Sequence, residues 1–153
     1  MTPPPRLKVR LEGADLCWRL PLCRLELRRA LAHMVEAARR ADAGVAADAA
    51  LELVLARDED VAELNSLHMG CAGPTNVLSF PNGPEESGEV RDLGSLVLSV
   101  DAVRREALLY GQAPREHCLR LLAHGLAHLT GLDHGEEMDS LCRLMLAEAA
   151  GAE

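Results

Sequence analysis

Aromatic side chains are almost missing from this sequence: Trp18, Phe80 and Tyr110 are the only three in 153 residues. Proteins that hold single-stranded nucleic acid by stacking bases on exposed rings need several, so that mode of binding is nearly excluded. Basic excess is missing too. Sixteen Lys and Arg stand against 24 Asp and Glu, a formal net charge of −8, which leaves room for a local basic groove but not for a broad nucleic-acid surface. No run approaches the roughly 18 apolar residues that a membrane span requires. The opening MTPPPRLKVR lacks the apolar stretch of a signal peptide, and the five cysteines (Cys17, Cys23, Cys71, Cys118, Cys142) are odd in number and scattered. A reduced, cytoplasmic protein is expected, with no membrane and no DNA among its partners.

What remains is a chain that is 48% hydrophobic and 26% charged, long enough for one domain with a real core over residues 1–153 and too short for two. Residues 7–12, LKVRLE, alternate apolar and polar positions as a half-buried strand does. From Pro21 to Ala41, Leu25, Leu27, Leu31, Met34, Val35 and Ala38 recur at helical spacing, with arginines mostly on the other side. Strands are predicted at 51–56, 75–80 and 95–100, and helices at 58–67, 101–110, 115–129 and 136–149. PNGPEESGEVRD, between the last two strands, reads as a loop. The order β-α-β-α-β-β-α-α-α implies an α/β or α+β fold: a small mixed four-stranded sheet packed with about five helices.

Three of the six histidines fall in HGLAHLTGLDH, residues 124–134. His124 and His128 are four apart on a predicted helix, so both imidazoles leave one face and can grip a single ion. Gly131 can take the left-handed conformation that ends a helix and turns the chain back, bringing His134 in as a third ligand. Three imidazoles would leave tetrahedral zinc one open position, the arrangement of a catalytic site. One zinc per chain is expected, since no second ligand set exists. The spacing matches the long zinc motif of metzincin proteases, yet Gly125 stands where a zinc protease carries its general-base glutamate. A glycine inside a helix costs about 1 kcal/mol relative to alanine. Either a close approach of backbone or substrate, or a tight helix–sheet contact, would account for it.

The same segment resembles the YbeY family of bacterial metal-dependent endoribonucleases, whose signature is HGxLHLxGYDH. The likeness extends upstream through LNSLHMGCAGPTNVLSFP (64–81) and DLGSLVLS (92–99), and downstream to Met145 and Glu148. It covers about residues 50–150. It implies a single-strand-specific endoribonuclease that matures ribosomal RNA, notably the 3′ end of the small-subunit 16S rRNA. It also implies a place in ribosome quality control, with the small subunit and ribosome-associated proteins as partners and His124, His128 and His134 as metal ligands. Met69, Asn76 and Ser95 depart from the family's arginine and aspartates. A guanidinium pairs bidentately with phosphate and methionine does not, so Arg91 or Arg115 is a candidate replacement.

Among the remaining residues, His117 lies on the same helix face as His124, two turns away, about 10.5 Å along the axis at 1.5 Å per residue. It is too far to share the metal and is expected to be partly exposed. Asp133 suits either a hydrogen bond to a ligand imidazole or a turn before the next helix. His33, His68 and Cys71 show no partner pattern. Two competing readings remain, a metallopeptidase-like zinc hydrolase and a non-catalytic ribosome-binding zinc protein.

Overall fold

A computed structural model describes residues 6–69 and 75–151, without the side chains of His68 and Met69. Its strands are Lys8–Glu12 (β1), Val45–Ala56 (β2), Val77–Pro81 (β3) and Val90–Ser99 (β4). A 3₁₀ helix, Ala14–Arg19, follows β1, and the α-helices are Arg24–Arg40 (α1), Asp58–Met69 (α2), Val100–Leu109 (α3), Pro114–Leu129 (α4) and Glu136–Gly151 (α5). Across the sheet the order is β1-β2-β4-β3. β1, β2 and β4 run parallel, and β3 pairs antiparallel with β4 at one edge.

Side chains alternate across the pleat, so each strand serves two layers. Leu51, Leu53 and Leu55 of β2 and Leu96 and Leu98 of β4 join Leu27, Leu31 and Met34 of α1 and Leu122, Leu126 and Leu129 of α4 in the main core. Met138, Leu141 and Met145 of α5 close it. Each such side chain contributes about 1.5–3 kcal/mol by leaving water. On the opposite face Ala56, Leu78 and Val97 meet Val61 of α2 in a smaller cluster. Beyond that cluster the face turns polar: Ser95 Oγ donates to Glu52 Oε1 at 2.8 Å, and Arg10 Nε donates to Glu52 Oε2 at 2.9 Å.

The mixed four-stranded sheet matches expectation, but two strands start earlier than the sequence signals. VAADAA (45–50) carries little β-branched or aromatic character. It becomes strand through its partners, Val45 opposite Val90 and Ala50 opposite Lys8, with register shifts between. The expected loop shortens accordingly, because β4 begins at Val90. The 3₁₀ helix is too short to show a period. The four described cysteines are free, and no described helix is long and apolar enough to cross a membrane.

Candidate metal centre

Helix α4 opens with Pro114 at its first turn, where a missing N–H costs nothing. Its apolar side is buried from Leu119 to Leu129, which leaves His124 and His128 half-buried at the border of the core. Past Leu129 the chain reverses through Gly131, whose φ of 96° falls in the left-handed region. The Gly131 N–H donates to the His128 carbonyl at 3.0 Å and the Leu132 N–H to the Ala127 carbonyl at 3.4 Å, the paired bonds of a Schellman cap. This reversal carries His134 back over the helix end.

The three rings converge. Centroids lie 4.8 Å apart for His124 and His128, 5.2 Å for His124 and His134, and 5.0 Å for His128 and His134, with one candidate ligand nitrogen from each within 4.8 Å of the others. Tetrahedral zinc at about 2.0–2.1 Å from each nitrogen sets ligand atoms about 3.4 Å apart, so small side-chain rotations close the gap. Burial, then the nearby His128 and His134, push the His124 imidazole below its usual pKa and favour the neutral, ligating form. His128 Nδ1 lies 3.0 Å from the Leu132 carbonyl. A bond there places the proton on Nδ1 and frees Nε2 for a metal. These residues fit the ion. Of the two readings of Asp133, the orienting hydrogen bond is not made: that side chain is exposed and has no hydrogen bond among the described residues. The backbone carbonyl does this instead.

Gly125 settles its two readings in favour of the helix–sheet contact. A Cβ there would come 2.7 Å from Leu96 Cδ2 and 3.2 Å from Val77 Cγ2. The Ser79 hydroxyl donates to the Gly125 carbonyl at 2.9 Å. The position of a protease's glutamate is thus pressed against the sheet, with no room for a carboxylate.

The other candidates are scattered. Ser95 points to the sheet face opposite α4, paired with Glu52, and so does not face the histidines. Asn76 immediately precedes β3 and hydrogen-bonds Glu106. Arg91 pairs with Asp48 at 3.4 Å, and Arg115 pairs with Glu26 at 2.6 Å at the start of α1. His117 is buried rather than partly exposed, because Glu106 and Gln112 satisfy its ring. As expected from its spacing it lies outside the metal-binding group. Cys71 and the side chains of His68 and Met69 fall outside the described residues.

A family model described as endoribonuclease YbeY matches residues 21–148. This chain belongs to that family. The YbeY endoribonuclease of Lawsonia intracellularis is 42% identical over 140 residues, which cover 92% of this chain and 96% of that protein. That of Nitratidesulfovibrio vulgaris is 49% identical over 106 residues, covering 59% of this chain and 65% of that protein. A Thermotoga maritima protein solved in solution has the same fold, with a TM-score of 0.57 at 21% identity over 95% of this chain and 89% of that one. In this YbeY chain the histidine cluster that could hold a metal lies on one helix and the turn after it.

Proposed function

We propose that this chain is a zinc-dependent, single-strand-specific endoribonuclease that acts on ribosomal RNA, with the 3′ end of the small-subunit RNA as its site of action. Hydrolytic endoribonuclease activity comes with the family. Zinc is supported by the donor set: three imidazoles brought together with no fourth member in the group among the described residues, which leaves a position for water or substrate. An ion there would supply Lewis acidity and a bound water of lowered pKa. The protein's own part is to favour the neutral form of His124 at the core border, to orient His128 through the Leu132 carbonyl, and to deliver His134 through the Gly131 turn. The small subunit and ribosome-associated proteins are the partners that accord with this reading, and the cytoplasm is where they meet.

The convergence of His124, His128 and His134 carries the proposal. A metallopeptidase is disfavoured by the packing at Gly125, which leaves no space for the glutamate after the first histidine. Metal analysis of the purified protein, then incubation with single-stranded RNA, duplex RNA and casein, each with and without chelator, tests all readings together. The expected outcome is one zinc per chain and chelator-sensitive cleavage of single-stranded RNA alone. Casein hydrolysis would favour the peptidase, and bound zinc without cleavage of any substrate the non-catalytic ribosome-binding protein.

A further inference from the structure

Seven residues before His124, His117 has an acceptor at each ring nitrogen. Nε2 lies 2.9 Å from Glu106 Oε1 and Nδ1 lies 3.2 Å from Gln112 Oε1, with the Tyr110 ring edge-on at 6.2 Å. The His117 side chain is 6% exposed and that of Glu106 18%. Neighbours that can play only one role fix the polarity of each partner. The Arg120 guanidinium, which only donates, bonds Gln112 Oε1, so that atom is an amide oxygen and accepts. The Val77 N–H donates to Asn76 Oδ1 at 2.8 Å, which turns Asn76 Nδ2 toward Glu106 Oε1 at 3.2 Å. Glu106 therefore accepts from both Asn76 and His117, as a carboxylate does. Flanked by these two acceptors, the His117 ring is placed to donate from both nitrogens, as an imidazolium does.

We infer that His117 is a positioning residue: held as an imidazolium between Glu106 and Gln112, it anchors the Asn76 amide through Glu106 and so sets edge strand β3 against the ligand-bearing turn of α4. Asn76 is the last residue before β3, and its carbonyl accepts from the Ser99 N–H at 2.9 Å. Val77 and Ser79 of β3, together with Leu96 of β4, abut Gly125, the neighbour of His124, at a contact with no spare space. The hydrogen bond at Asn76 thus holds one end of the strand whose next residues press on the metal-bearing turn. For its catalytic readout the inference rests on the endoribonuclease reading; its spectroscopic readout does not.

Two measurements test it. In protein with nitrogen-15-labelled histidine, assigned by comparison with His117→Gln, long-range nitrogen–proton spectra at neutral pH should show both His117 nitrogens protonated. One bare nitrogen overturns the inference. In the second, Asn76→Asp sets a carboxylate against Glu106, and kcat on single-stranded RNA should fall about tenfold while KM and zinc affinity stay within about threefold. Adding Glu106→Gln reverses donor and acceptor and should recover most of kcat; a double variant no better than the single overturns the inference. If wild type cleaves no RNA, the endoribonuclease reading alone fails. The ring spectrum and the thermal midpoint of Asn76→Asp, lowered and then restored by Glu106→Gln, then decide the inference.

Discussion

In the first half of α4, Arg115 pairs with Glu26, and His117 has acceptors at both ring nitrogens; in the second half, no described group hydrogen-bonds the His124 ring, and only the Leu132 carbonyl meets that of His128. Both halves lie on one helix, and their histidines share one face. The helical period decides which face a side chain takes, while its partners come from other elements. Glu106 of α3 and Gln112 of the following turn saturate His117. At the other end the Leu132 carbonyl is the one described acceptor, and the remaining ring nitrogens of His124 and His128 are left without a protein partner among the described residues.

The contrast is broken most severely by removing a ligand. His128→Ala should lose stoichiometric zinc and reduce RNA cleavage to background, because loss of an orienting partner alone typically costs about 10–100-fold in metal affinity and loss of a ligand costs more. Metal analysis after dialysis, with full occupancy as the contrary result, checks this. Gly125→Glu comes next and should prevent folding rather than create a protease, since burying an unpaired carboxylate against Leu96 and Val77 costs several kcal/mol. A folded, casein-cleaving variant would contradict it. The milder Gly125→Ala should lower stability by about 1–2 kcal/mol, as overpacking exceeds the gain in helix propensity. Gly131→Ala should cost about 1 kcal/mol in urea unfolding, because φ of 96° disfavours a side chain. Zinc affinity should fall with it, as that turn delivers His134.

The smallest effect belongs to the saturated half. Glu26 accepts from the Cys23 N–H and from Arg115, and its carboxyl is held down to about 2, the Cys23 bond being the larger cause. A carboxyl lowered in the folded state stabilises above its unfolded pKa, and that contribution is lost as pH falls from about 4.5 through about 2. Glu26→Gln should therefore melt below wild type at neutral pH, with the gap closing by about pH 2 and narrowing in salt. A constant gap across that range would show that the carboxylate's charge plays no part.

The histidine triad was legible because helix period, glycine and spacing are all local. Leu132 was not, since any residue offers a carbonyl and only the Schellman turn aims this one. The partners of His117 lie five and eleven residues away in sequence, outside its own helix. The sheet face that Ser95 takes was not legible for another reason. Strand β4 is buried on both faces over most of its length, so hydrophobic alternation does not report which side a residue takes, and one step of parity moves a side chain across the sheet. Strand β2 was read too short because its alanines gain order only from neighbours, and β4 because Arg91, Asp92 and Gly94 interrupt its apolar pattern.

The Gly131 turn has a thermodynamic consequence. Two ligands belong to α4, but His134 sits on the short link to α5, which begins at Glu136 and packs on α1. An ion held by all three would staple that link to the preceding helix. Every opening of α5 that drags its leading link would then have to break a coordination bond, so hydrogen exchange along α5 would slow as free zinc rises, by the mass-action law that couples any ligand to the state it binds. The last helix of the chain would take its local stability from the metal supply around it.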